Sequence, residues 1–178
     1  MLWITADGTA IFEPPQPRRI IGFVPESNRV ITWNTNQTAL ERWSAEDDRA
    51  HGVPLAGMGP EPGAFTRWGF SPDYRMFFAI DQAGQVHFWD TVNGQDLGAL
   101  QGPAPPIRAA TLGRGGSHLA ISVQPENFAR VYHCSSGGET RLVGHRDYVS
   151  GVAFSHDGAT IATGSIDGTI RLWEVATG

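Results

Sequence analysis

Residues 144–178 read GHRDYVSGVAFSHDGATIATGSIDGTIRLWEVATG. The stretch opens on Gly144-His145, closes on Trp173-Glu174, and holds three short runs rich in Val, Ile, Thr and aromatic residues. The turn dipeptides Asp157-Gly158 and Asp167-Gly168 divide these runs. Short β-type runs cut by Asp-Gly are the signature of hairpins, because glycine supplies the positive φ that a tight loop demands. Residues 152–154, 160–163 and 169–173 are therefore expected to be strands. The stretch also recurs. At a shift of 84 residues, Phe70-Ser71 falls on Phe154-Ser155, Asp73 on Asp157, Gly84 on Gly168, Trp89 on Trp173 and Gly94 on Gly178, without a gap.

The repetition runs further. A shift of 130 places Trp43 on Trp173, Thr35 on Ser165 and Ile31 on Ile161. A shift of 41 or 42 places Leu119-Ala120 on Ile161-Ala162 and Tyr132 beside the tryptophan position, although this copy, over residues 107–137, has lost its signature residues. Near the N-terminus Thr5, Asp7, Gly8 and Thr9 match Ser165, Asp167, Gly168 and Thr169. The closing aromatics Trp43, Trp89, Tyr132 and Trp173 stand 46, 43 and 41 residues apart. A period of about 40–45 residues with a Gly-His start and a tryptophan-acid end marks propeller blades, units that cannot bury their faces alone. Second strands are expected at residues 29–33, 76–80 and 118–123, and outer strands at 94–100 and 139–143. A partial unit over residues 2–6 and 9–12 precedes them. No stretch has sustained apolar spacing of three and four, so helix should be nearly absent.

Composition narrows the function. The 22 glycines and 12 prolines of this 178-residue chain serve turns, and the prolines of 14–17 and 103–106 stiffen connections. Net charge is −5 and no basic run exceeds Arg18-Arg19, which argues against a nucleic-acid partner. The single cysteine, Cys134, excludes an internal disulfide framework and a cysteine zinc site, and reads as a small filler within a strand. There is no signal segment and no apolar run of 18, so no membrane partner and a cytoplasmic location are expected. His51, His87, His118, His133 and His156 are scattered singly without ligand spacing, and Asp47-Asp48 and Asp81 stand as isolated acids. The glycines of 113–116 and 57–59 lack the remainder of a phosphate loop. The expectation is a chain without catalytic residues, metal site or cofactor, hence not an enzyme.

Residues 144–178 resemble a WD-repeat β-propeller unit, and the weaker copies extend that resemblance along the chain. The resemblance implies an all-β fold, a β-propeller of four-stranded antiparallel blades. About four blades plus a partial one are expected, with bounds 1–13, 18–58, 62–101, 105–143 and 144–178. Propellers run from about four to eight blades, and members of the resembled family close with about seven. A partial or open ring is the consequence. The favoured reading is a fragment of a larger propeller; the others are a half-ring that closes by self-association and a small closed or irregular propeller.

The resemblance also implies a structural tetrad, carried onto His145, Ser165, Asp167 and Trp173. Aspartate in a tight turn would accept from the histidine, the histidine would bond the serine, and the serine the indole N–H. A buried polar chain is tolerable only when each member is satisfied. The copy ending at Trp89 has Asp81, Ala83 and Glu61 in the serine, aspartate and histidine slots. The copy ending at Trp43 has Thr35 and Gln37 and no histidine, so packing of Phe23, Trp33, Trp68, Phe70, Phe77, Phe78 and Phe88 must hold those blades. Partner contacts in the resembled family fall after Gly-His and before the turn aspartate. That implies a face of Arg146, Tyr148 and Ile166, with Arg18, Asn36, Gln82 and Ala6 in corresponding slots. The implied function is a non-catalytic scaffold for protein partners. The alternatives are a sensory or regulatory module of a multidomain signalling protein with a kinase or nucleotide-switch ATPase, and a propeller enzyme such as a hydrolase.

Overall fold

The computed structural model describes residues 65–104 and 106–177 throughout, and residues 2–3, 10–12, 20–24, 29–33, 40–44 and 53–54 as strands. The chain forms two compact units, residues 1–64 with 89–96, and residues 65–88 with 97–178. In the first unit β1 (Leu2–Trp3) pairs antiparallel with β2 (Ala10–Phe12). A four-stranded sheet follows in chain order: β3 (Ile20–Val24), β4 (Arg29–Trp33), β5 (Leu40–Ser44) and β6 (Val53–Pro54).

The second unit carries the repeat in its clearest form, although Trp89–Asp96 of its first sheet group with the first unit. One sheet is β7 (Phe65–Phe70), β8 (Met76–Asp81), β9 (Gln85–Asp90) and β10 (Asp96–Gln101). The next is β11 (Ile107–Leu112), β12 (His118–Val123), β13 (Phe128–His133) and β14 (Glu139–Val143). The last has three strands, β15 (Val149–Phe154), β16 (Thr160–Ser165) and β17 (Ile170–Glu174). Helix among the described residues is one 3-10 turn at Arg114–Gly116. The architecture is thus all-β, built of antiparallel propeller blades.

One strand expectation shifts. The outer strand expected from residue 94 starts at Asp96, because Gly94, at φ +77°, closes a turn in which its N–H donates to Asp90 O at 2.9 Å. The N-terminal strands are described at Leu2–Trp3 and Ala10–Phe12, and the rest of their expected ranges, residues 4–6 and 9, lies outside the described residues. The unit that had lost its signature residues forms a complete blade. It keeps the two-residue alternation, and alternation rather than signature decides which face is buried.

That alternation builds the core. On β12, Leu119, Ile121 and Val123 join Phe78, Ile80, Val86, Phe88, Ile107 and Leu112 in one cluster. Ala120, from the opposite face of β12, joins Ala129, Val131, Leu142, Val149 and Ile161 in another. Each blade of this unit therefore seals a face of its neighbour. The innermost strands lie side by side, β11 against both β7 and β15. Each has a register shift at the same place, around Thr66, Arg108 and Ser150, spaced 42 residues apart. The threonine and serine hydroxyls donate across to Ile80 O and Gly164 O, both at 3.3 Å, where the ladder is interrupted. Cys134 is half-buried, and burial pushes its thiol up to about 11.

Candidate interaction site

The turn between β16 and β17 is built around one carboxylate. Gly168, at φ +81°, lets the chain reverse, and its N–H donates to Ser165 O at 3.2 Å. Asp167 Oδ1 accepts from Thr169 N at 2.9 Å and Thr169 Oγ1 at 2.6 Å. Its Oδ2 accepts from Arg146 N at 2.8 Å and His145 Nδ1 at 3.0 Å. The Thr169 hydroxyl, then the Arg146 amide, hold the Asp167 carboxyl well below the usual carboxylate range, against the opposing effect of burial.

From His145, which is buried, the chain of bonds turns inward. Its Nε2 lies 2.8 Å from Thr163 Oγ1, and Trp173 Nε1 donates to the same oxygen at 2.8 Å. The hydrogen inventory assigns the protons. The indole can only donate, so the Thr163 hydroxyl is free to donate to His145 Nε2. His145 then carries its proton on Nδ1, facing the carboxylate.

Ser165 is not in this chain, and Thr163 takes the place expected for it. The register explains the correction. Trp173 lies opposite Ile161 on β16, and Thr163 is the next residue on that face. Ser165 is a further pair along, at the end of the strand. Its hydroxyl reaches Asp147 O at 2.9 Å and Tyr148 O at 3.0 Å, and accepts from Asp167 N at 3.1 Å. The repeat could not single out Thr163, because the matching positions hold Ala79 and Trp33.

These bonds tie the 145–148 loop to the 165–169 turn. Ile166 N donates to Tyr148 O at 3.2 Å, so Arg146, Tyr148 and Ile166 are brought to one locality. Arg146 is exposed and Ile166 is 54% exposed. Tyr148 is half-buried, with the Arg108 guanidinium 5.7 Å from its ring centre. Gln82 is exposed at the β8–β9 turn. Arg18, Asn36 and Ala6 lie outside the described residues, as do His51, Asp47 and Asp48.

Four residues read as solitary have company. Asp81 Oδ1 accepts from Ala83 N and Gln85 N, both at 2.8 Å, and its Oδ2 lies 3.7 Å from His87 Nε2. Asp81 thus caps its turn from the serine slot, two residues ahead of the alanine that replaces the turn aspartate. Likewise His118 stands opposite His133 across β12 and β13, with ring centres 4.6 Å apart. Burial, then the charge of His133, pull His118 below the ordinary histidine value. Their separation along the chain hides this pair, which only the strand register creates. No group of three or more potential metal ligands occurs among the described residues. No helix among them is long and apolar enough to cross a membrane.

The family model described as WD domain, G-beta repeat, matches residues 138–174. A WD repeat-containing protein of Synechocystis sp. is 31% identical over 135 residues, which cover 75% of this chain and 38% of the relative. The serine-threonine kinase receptor-associated protein of Dictyostelium discoideum is 35% identical over 112 residues, 62% of this chain and 37% of the relative. The pre-mRNA-splicing factor cwf17 of Schizosaccharomyces pombe is 26% identical over 113 residues, 64% and 33% respectively. The chain therefore spans about a third to two fifths of the length of these curated relatives.

Proposed function

We propose, on the footing that the chain belongs to the WD-repeat family, that it is a non-catalytic scaffold presenting a rigid loop face to protein partners. The observation that carries this reading is the double tether of that face. Arg146 N–H is held by Asp167, and Ile166 N–H by Tyr148 O. Loops held this way lose little conformational entropy on binding. Arginine and tyrosine are the residue types that anchor protein interfaces, and an exposed isoleucine beside them adds apolar area. The face is Arg146, Tyr148 and Ile166, with Gln82 in the matching slot of the β7–β10 blade. The relatives named as a receptor-associated protein and a splicing factor accord with work in protein assemblies.

The test is comparative capture from lysate, with captured proteins identified by mass spectrometry. Proteins retained by the wild type should be lost from Arg146→Ala and Tyr148→Ala variants whose melting is unchanged. Equal retention by both variants removes this face, and the absence of any specific capture removes the scaffold reading.

A further inference from the structure

We propose that His118 and His133 form a two-histidine chelate for a divalent transition metal ion such as Cu2+, Ni2+ or Zn2+. The pair faces across β12 and β13 in register, with rings 4.6 Å apart and inclined by 65°. Both side chains are half-buried, so an ion can reach them. At the matching position of the last blade the pair is Thr160 and Glu174, so two imidazoles face each other only in the β11–β14 blade of these two.

Hydrogen bonding prepares His118 as a ligand. Its Nδ1 lies 3.0 Å from Ser117 Oγ, and that hydroxyl donates to Arg114 O at 3.4 Å. A hydroxyl that has given its single hydrogen to a carbonyl can only accept from the imidazole. With the Ser117 hydrogen on Arg114 O, the proton of His118 sits on Nδ1 and Nε2 keeps its lone pair. Metal-binding histidines are set in this way, one nitrogen held by an acceptor and the other on the ion. His133 makes no side-chain hydrogen bond among the described residues, so its nitrogens are available.

Imidazole nitrogen selects borderline transition metals over Ca2+ and Mg2+, which prefer oxygen. With no third protein ligand in a cluster among the described residues, water fills the remaining coordination positions. An ion held by both rings links β12 to β13 at the end where the Arg114–Gly116 turn enters the sheet.

The experiment uses the untagged chain with NiCl2 as probe, reading binding by calorimetry and the histidine ring resonances by NMR. Paramagnetic Ni2+ should broaden the ring signals of His118 and His133 together. His118→Asn and His133→Asn should each weaken binding by about tenfold or more, since each removes the advantage of intramolecular second-site binding. The double variant should lose little beyond either single change, and His156→Asn should bind as the wild type does. Ring signals of His118 and His133 that stay sharp with Ni2+ overturn the chelate, whatever the variants do. So does either single variant binding Ni2+ as tightly as the wild type.

Discussion

The indole Nε1 of Trp173 donates to Thr163 Oγ1 at 2.8 Å, and the same oxygen meets His145 Nε2 at 2.8 Å. One hydroxyl thus satisfies a buried imidazole and a half-buried indole. Thr163→Val keeps the shape and deletes the bond, and should cost about 1–3 kcal/mol by leaving buried polar groups unmade. Thr163→Ser should recover most of it. Denaturant unfolding followed by tryptophan fluorescence measures both, and Thr163→Val melting with the wild type would break the argument.

The outer face of β17 has the same pattern as that of β13 but a different environment. Val131 is 2% exposed, whereas Leu172, its counterpart in the repeat, is 73% exposed. Val131→Ala should cost about 2 kcal/mol through lost burial and the cavity left behind. Leu172→Ala should stay within about 0.5 kcal/mol of the wild type. Chemical denaturation of the two variants side by side checks the contrast.

The depressed carboxyl of Asp167 makes stability depend on acid. The unfolded chain titrates this group near the ordinary value of about 3.9, above its folded value. Between the two the unfolded state binds more protons, so the contribution is full above that pH and is lost as pH falls below it. Asp167→Asn should flatten the decline in melting temperature between about pH 5 and pH 3. Some slope should remain, because Asp73, Asp157 and Glu139 are also shifted down. An unaltered decline in the variant would contradict this.

Gly84 and Gly168 occupy the same turn position, at φ +84° and +81°, and differ in their neighbours. A Cβ on Gly84 would meet Pro103 O at 2.3 Å, whereas one on Gly168 meets nothing within 4 Å. Gly168→Ala should cost about 1–2 kcal/mol for the left-handed backbone alone. Gly84→Ala should cost more, because Pro103 must also move. Calorimetric melts of the two variants rank them.

Much of the scaffold was legible because hairpin chemistry is local. Asp157-Gly158 and Asp167-Gly168 announce reversals, and β4, β12 and β14 occupy the residues their patterns indicate. The tetrad was legible in part. His145, Asp167 and Trp173 follow from the motif, but two hydroxyls two residues apart on one face, Thr163 and Ser165, look alike along the chain. Only the pairing of Ile161 with Trp173 places the indole over Thr163.

The sequence alone determined the strands, the turns and the repeat, because a two-residue alternation and an Asp-Gly reversal act over a few residues. Tertiary structure decided which hydroxyl receives the indole, that His118 meets His133, and how the 145–148 loop is bonded to the 165–169 turn. Those meetings depend on strand register, and register is set by burying whole faces against neighbouring blades rather than by any single residue.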